Sequence, residues 1–327
     1  MDDADYKNIL LKGCLSIPSL NYLATVWQAF KIIKKEKPEI VYAHDYFSAL
    51  LVRLLLLLKR KHCKKIIYDA HELIIPEKGK DAGRRLNFFY KQEKKIVNKV
   101  DLLVCASEER GMMMNHHYCL KQPPVAINNI SQLFISDDPT TVNILKSMEG
   151  FLSSPGITVV YAGVVTKGRR IDRLFEAVSE LAPRFKLLIV GNGPSLEELK
   201  AEAAKQTYMV SLFTGGVPYK SLGAILSKCD IGFLYYPVNT LNNIYCASNK
   251  IYEYASVGLP MLANENPTVK KYLEEVAIGI ATSDFKKGLE EVSEKVDTYK
   301  TNCEQFTSNN LWEKEAEKLR IKVKELA

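Results

Sequence analysis

No two cysteines of this chain are spaced as C-x-x-C, and the seven present, Cys14, Cys63, Cys105, Cys119, Cys229, Cys246 and Cys303, are odd in number and scattered. Such a set argues against a disulfide framework and fits a reducing compartment. Histidine is also scarce. The five present, His44, His62, His71, His116 and His117, show no metal spacing tied to cysteines or carboxylates, so neither a structural zinc nor any other metal is expected. Long apolar runs are missing: the most apolar stretch, residues 50–58, contains Arg53 and ends in Lys59-Arg60-Lys61, so it reads as a buried or interfacial helix too short to span a bilayer. The opening Met-Asp-Asp-Ala-Asp is acidic where a secretory signal is basic, so export is not supported and a cytoplasmic location is expected. No G-x-G-x-x-G is completed at Gly191-Asn192-Gly193-Pro194, and these glycines follow the second strand of their domain rather than the first, which excludes an NAD site there. No serine-histidine-aspartate order of a hydrolase stands out.

What is present is a chain of 327 residues, 47% hydrophobic, enough for two ordinary cores and hence for two domains of roughly 150 residues each. Its net charge of +7 is uneven. Between Lys31 and Lys99 cations outnumber carboxylates roughly two to one, with Phe88, Phe89 and Tyr90 interleaved. A nucleic acid, an anionic membrane surface and plain solvent each suit such a face.

Apolar periodicity alternates along the chain. Helical spacing over 22–37 ends at Pro38; strand 40–43 leads into His44-Asp45, an apolar helix covers 47–60, and strand 65–70 ends at His71-Glu72. A basic helical segment with Arg84, Arg85, Lys91, Lys94 and Lys95 precedes strand 102–106, and 123–129 reads as the last strand of the first domain. Ser136-Asp137-Asp138-Pro139 is expected to break regular structure, so a boundary is placed between about 135 and 156, giving domains at 1–140 and 150–327. The second half opens with strand 157–162, then a basic turn at 163–168, helix 170–181, strand 186–190, the Gly191–Pro194 turn, helix 195–205, strand 209–213, helix 219–228 and strand 230–235. Strand-helix-strand with short links predicts parallel α/β domains, whose ligands gather at the carboxyl ends of strands. His44 and His71 stand at two such ends.

The most informative stretch is residues 241–261, Leu-Asn-Asn-Ile-Tyr-Cys-Ala-Ser-Asn-Lys-Ile-Tyr-Glu-Tyr-Ala-Ser-Val-Gly-Leu-Pro-Met. Ser248 is a suitable N-cap for a helix over 249–257, and Gly258 a left-handed stop before a buried strand. Backbone N–H groups at Asn249, Lys250 and Ile251, with the Lys250 ammonium, would favour an anion such as a diphosphate. Glu253 leaves on the same face as Lys250, one turn on, where its carboxylate could accept both hydroxyls of a ribose. A solvent-exposed Lys250/Glu253 pair on an ordinary helix is the alternative reading.

Ser-Asn-Lys-Ile-Tyr-Glu-Tyr-Ala-Ser-Val-Gly-Leu-Pro resembles the Pro-Asn-Lys-Leu-Phe-Glu-Tyr-x-x-x-Gly-x-Pro signature of retaining nucleotide-sugar glycosyltransferases of family 4, with Ser248 in place of the usual proline. The resemblance implies the GT-B fold, two Rossmann-like doubly wound domains facing across a cleft, with Trp312-Glu313-Lys314 opening a final helix that packs back toward the first domain. It gives Glu253 the donor ribose, and Asn249 and Lys250 the diphosphate and sugar. Val164-Val165-Thr166-Lys167-Gly168-Arg169-Arg170 resembles the family's Gly-Arg…Lys-Gly diphosphate loop; the arginine after the first glycine falls on Val164, so Lys167, Arg169 or Arg170 supplies the charge. Gly191 and Gly193 would line the nucleotide pocket near the base. His71, in Tyr-Asp-Ala-His-Glu, resembles the family histidine beside the transferred sugar and is with Lys250 the catalytic expectation, while His44 and Asp45 are expected on the acceptor side. Where many members carry an earlier glutamate, this chain has Tyr245. Members also start with a strand and a glycine-rich turn, whereas this chain begins near Asn8–Leu11; the resemblance therefore implies a missing first β-α-β portion, from a fragment, a mis-started reading or a shortened protein.

The expectation is a retaining glycosyltransferase of hexosyltransferase type, using a nucleotide sugar, UDP-linked, as co-substrate without a cofactor. It would serve a glycan or lipid-linked acceptor in cell-surface polysaccharide synthesis, with peripheral contact to an anionic membrane and no nucleic-acid partner. The rival is a non-catalytic nucleotide-sugar-binding or scaffold protein derived from such an enzyme.

Overall fold

Short β-branched and aliphatic runs separated by amphipathic helices make parallel strands here, as the alternation requires. The computed structural model describes residues 18–77, 79, 83–205, 210–213 and 216–326. They fall into two units: residues up to Asn128 rejoined by the stretch from Glu317, and Asn129–Ala316.

The first unit runs α1 (Pro18–Glu36), β1 (Ile40–His44), α2 (Ala49–Leu57), β2 (Lys65–Ala70), α3 (Gly83–Ile96), β3 (Leu102–Cys105), α4 (Glu108–Tyr118) and β4 (Val125–Ala126). Its strands are all parallel, in the order β1-β2-β3-β4. Five consecutive residues of β2 are buried, the signature of a strand covered on both faces. Helix α2 starts later than its apolar pattern because Tyr46–Ser48 wind into a 3-10 turn, with the Asp45 side chain accepting from the Tyr46 N–H. Helix α4 has no counterpart in the sequence reading: Met112-Met113-Met114-Asn115-His116-His117 shows no clear period, and the helix is set by Ser107 capping the Arg110 N–H and by Glu108 and Glu109 in its first turn.

The second unit contains α5 (Pro139–Leu152), β5 (Ile157–Ala162), α6 (Ile171–Glu180), β6 (Phe185–Val190), α7 (Leu196–Ala203), β7 (Val210–Phe213), α8 (Tyr219–Leu226), β8 (Ile231–Leu234), α9 (Leu241–Ile244) and α10 (Asn249–Ser256). It continues through β9 (Met261–Ala263), α11 (Pro267–Val276), β10 (Gly279–Ala281), α12 (Phe285–Glu294) and α13 (Val296–Asn309), and α14 (Trp312–Lys324) closes the chain. Ser136–Pro139 does not break structure. Asp138 accepts from the Thr140 and Thr141 N–H groups, and Pro139 sits in the first turn, where a missing N–H costs nothing, so the stretch opens α5. From Glu317 the last helix belongs to the first unit, where Leu319, Val323 and Leu326 pack on Ile67, Val104 and Ile127.

The second sheet is parallel, in the order β10-β9-β8-β5-β6-β7. Alternate residues feed its two faces: Val160 and Ala162 join Leu188, Ile251 and Tyr254 on one, Val159 and Tyr161 join Leu187, Phe233 and Phe285 on the other. The chain steps from β5 out to β7 and returns on the other side of β5 as β8. That reversal opens a crevice at the carboxyl ends of β5 and β8, the place where parallel sheets bind ligands.

Candidate active site

The turn after β5 and the loop after β8 meet at this reversal. The Arg169 guanidinium donates to the Tyr235 carbonyl at 2.7 Å and lies 4.6 Å from the centre of the Tyr236 ring, joining the two segments. Helix α10 delivers Lys250, whose Nζ donates to the Ala162 carbonyl at the end of β5. Gly163 lies against it, at φ +147 and with the position of a Cβ 2.8 Å from that Nζ, so a larger residue there would push the Lys250 ammonium aside. Burial lowers the Lys250 pKa, Glu253 counters it, and Arg169 adds to the lowering. A poorly solvated ammonium beside a guanidinium is a cation pair that an anion would relieve. Ser248 occupies the N-cap of α10 but makes no side-chain cap; its hydroxyl accepts from Tyr236 at 2.9 Å, so the first-turn N–H groups need partners from outside the helix.

Glu253, 8% exposed, takes a hydrogen bond from the Tyr219 hydroxyl at 3.1 Å, and Tyr219 in turn meets Ser131. Among the described residues it makes no ion pair, and a carboxylate with one such bond keeps most of its acceptor capacity. Gly191 and Gly193 serve backbone packing: a Cβ would stand 1.9 Å from the Gly163 carbonyl oxygen at the first and 2.2 Å from that of Val165 at the second. They clamp the second turn to the first, with the Val165 N–H bonded to the Asn192 carbonyl at 2.9 Å.

Arg169, Asn249, Lys250, Glu253, Gly191 and Gly193 are thus brought to one end of the sheet. Lys167 and Arg170 are engaged elsewhere, Lys167 with Glu198 at 3.2 Å and Arg170 with Asp172 at 3.0 Å, both pairs exposed. Those two cations line a cavity of about 750 Å³ between α6 and α7, but so do Asp172, Glu176, Glu198 and Glu202, a lining that repels a diphosphate.

In the first unit, His44 is the register partner of Asp69 across β1 and β2, and His71 follows Asp69 by two residues. Asp69 Oδ2 lies 3.4 Å from His44 Nδ1, 3.4 Å from His71 Nε2 and 2.7 Å from the Tyr42 hydroxyl that donates to it. Burial alone would raise Asp69, but the hydrogen bonds from His71 and Tyr42 hold it below the usual carboxylate range. His71 is raised in turn by its bond to Asp69, against burial. Asp45 is held at φ 60 with its N–H donating to the Asp69 carbonyl at 2.7 Å, and burial raises its carboxyl.

Two family models match the sequence, Glycosyltransferase Family 4 over residues 10–129 and Glycosyl transferases group 1 over residues 156–295. The chain belongs to the family 4 type of glycosyltransferases. Among solved structures, this glycosyltransferase shares its fold with the sucrose-phosphate synthase of Thermosynechococcus elongatus at a TM-score of 0.69 and 15% identity, over 97% of this chain and 82% of that one. The Anabaena protein HepE, solved with UDP and glucose, gives 0.71 at 13% identity over 94% and 83%. A glycosyltransferase of Rickettsia africae ESF-5 gives 0.66 at 17% identity over 97% and 84%. These likenesses establish the GT-B fold. Among curated proteins, none matches the sequence.

Motif reading passed over other residues that hold these segments of the glycosyltransferase in place. Asp69 looks like any polar strand end until β1 is paired with β2. Asn264 clasps Tyr236 through both its N–H and its carbonyl at 2.9 Å, while the fully buried Asn266 donates to the Asn243 carbonyl at 2.8 Å and caps the Thr268 and Val269 N–H groups. Together they hold the loop between β8 and α10. An Asn-x-Asn-Pro just after a buried strand is a cap signal that could have been read.

Proposed function

We propose that this glycosyltransferase takes its sugar from a nucleotide sugar, UDP-linked, bound at the carboxyl end of the second sheet, and passes it with retention of configuration to a glycan or lipid-linked acceptor. The observation that carries the reading is Glu253: a buried carboxylate one helical turn beyond Lys250, with acceptor capacity left for the two ribose hydroxyls. The diphosphate then falls to Lys250, Arg169 and the N–H groups that open α10 at Asn249. Breaking the bond from the anomeric carbon leaves negative charge on the departing phosphate, and these donors stabilise that charge as it develops. Same-face attack assisted by the leaving phosphate accounts for retention, in keeping with the family resemblance. His71 serves the transferred sugar, with His44 and Asp45 on the acceptor side. HepE, crystallised with UDP-glucose, supports the choice of nucleotide. A membrane-borne acceptor in cell-surface polysaccharide synthesis, at the cytoplasmic face, is supported by the exposed Leu20, Leu23 and Trp27 of α1 and the exposed Arg84, Arg85, Lys91, Lys94 and Lys95 of α3.

Calorimetric titration with UDP tests the donor site. Glu253→Ala and the shape-keeping Glu253→Gln should each weaken binding by about ten- to a hundredfold, the worth of charge-assisted hydrogen bonds. Unchanged affinity in both would remove Glu253 from the ribose. A screen of nucleotide sugars for released nucleoside diphosphate then tests turnover: His71→Ala should slow release while leaving UDP affinity nearly unchanged. Binding with no turnover from any donor would favour the non-catalytic reading.

A further inference from the structure

We infer that Tyr219 is a positioning residue for the donor ribose: with Ser131 behind it, its hydroxyl holds the Glu253 carboxylate so that the remaining acceptor sites face the two ribose hydroxyls. This role rests on the donor-site reading and brings in two residues outside it. Tyr219 opens α8 and is 57% exposed. A tyrosine so open to water has no need of a protein partner for its hydroxyl. This one is nevertheless turned inward, where it donates to Glu253 Oε1 at 3.1 Å and meets the Ser131 hydroxyl. A phenol has a single proton to give. Because Tyr219 gives it to the carboxylate, Ser131 is the donor in the other bond, and the three groups form a chain running one way, from Ser131 through Tyr219 to Glu253. Each bond in such a chain polarises the next. Burial first, and the Glu253 charge after it, raise the pKa of the Tyr219 hydroxyl against the pull of Ser131, so it keeps the proton it donates.

The chain is anchored at both ends. The two residues after Tyr219 tie the first turn of α8 to α5: Lys220 pairs with Asp138 at 3.1 Å, and the fully buried Ser221 shares a hydrogen bond with Thr141 at 2.8 Å. The segment that carries Ser131 lies directly on α8, since a Cβ at Gly223 would stand 2.3 Å from the Phe134 carbonyl oxygen. The same segment also grips α10. The Leu133 N–H donates to the Ser256 hydroxyl at 2.9 Å, which donates in turn to the Glu253 carbonyl at 2.8 Å. Glu253 is therefore tied to residues 131–133 twice, by its carboxylate through Tyr219 and by its backbone through Ser256. The backbone tie fixes where the side chain starts, and the Tyr219 hydroxyl fixes where its carboxylate ends. Oε2 and the second lone pair of Oε1 stay open to a ligand. A glutamate has several rotatable bonds, and a ligand that must order a loose side chain on arrival binds more weakly than one that meets it already held.

The test is calorimetric titration of the whole chain with UDP and with 2′-deoxy-UDP, of which the parent should bind UDP the more tightly. Tyr219→Phe, which removes only the hydroxyl, and Ser131→Ala should each weaken UDP binding about three- to tenfold, the effect of leaving one long side chain for the ligand to order. Binding of 2′-deoxy-UDP should weaken less. Ser131→Thr keeps a hydroxyl in place and should bind UDP like the parent. In a Glu253→Ala background Tyr219→Phe should have no further effect, because the two residues act as one unit. A Tyr219 that only packs would weaken both nucleotides alike and would add its effect to that of Glu253→Ala; either result overturns the positioning role. So does unchanged UDP affinity in Tyr219→Phe when Glu253→Ala weakens it. Failure of the donor-site reading has a separate signature: no UDP binding by the parent, or Glu253→Ala binding UDP as tightly as the parent, would overturn that reading and the role of Tyr219 with it.

Discussion

Glu93 lies beneath β2 with 1% of its surface exposed, and each of its carboxylate oxygens accepts a tyrosine hydroxyl at 2.7 Å, from Tyr68 and Tyr118. Burial pushes its pKa from 4.5 up to about 7, against the pull of the two hydroxyls. Between those values the folded protein binds a proton that the unfolded chain has released, so stability falls as pH rises through the window and levels off above it. At about 1.4 kcal/mol per pH unit, the rise amounts to about 3 kcal/mol lost by about pH 7. Glu93→Gln keeps the shape, accepts one hydroxyl through its carbonyl and donates to the other through its amide, and carries no charge at any pH. It should therefore match the parent below about pH 4.5 and exceed it by up to about 3 kcal/mol above about pH 7. Urea unfolding across this range, followed by Trp27 emission in a Trp312→Phe background, reports on the first unit. Other groups titrate in the same window, so the difference between parent and variant carries the result. Parallel curves, or a variant less stable throughout, would refute the argument.

Two further substitutions probe the scaffold of the donor site. Gly191→Ala drives a methyl against the Gly163 carbonyl oxygen, a clash between two backbones that no rotamer relieves; a loss of about 3 kcal/mol or more is expected, checked by the thermal midpoint, and a shift near zero would mean the paired turns are loose. Asn266→Ala removes the α11 cap and leaves the Asn243 carbonyl short of a donor, so about 2 kcal/mol should be lost, and hydrogen exchange over 236–247 should quicken if the side chain holds that loop.

Local pattern carried much of the second unit. The helix with Lys250 and Glu253 one turn apart could be read from Ser248 to Gly258, because period and punctuation agree there. Charge was less legible. Lys167, Arg169 and Arg170 are equivalent as letters, and only the fold separates Arg169, stacked on Tyr236, from two neighbours paired with Glu198 and Asp172. Gly191 and Gly193 were recognisable as a turn, but their reason is a backbone contact with residues 163–165. In the first unit each histidine could be placed at a strand end, whereas the carboxylate between them depends on the register of β1 against β2. Asp138-Pro139 misled because the same letters that break a helix interior also begin one.

The apolar strip made by Ile67, Val104 and Ile127 receives its cover of Leu319, Val323 and Leu326 only after the entire second unit has left the ribosome. During synthesis that strip therefore stays open to water, to chaperones and to other nascent chains while the rest of its sheet is already paired. A protein cut after Asn128 would keep it open for good, with aggregation as the consequence.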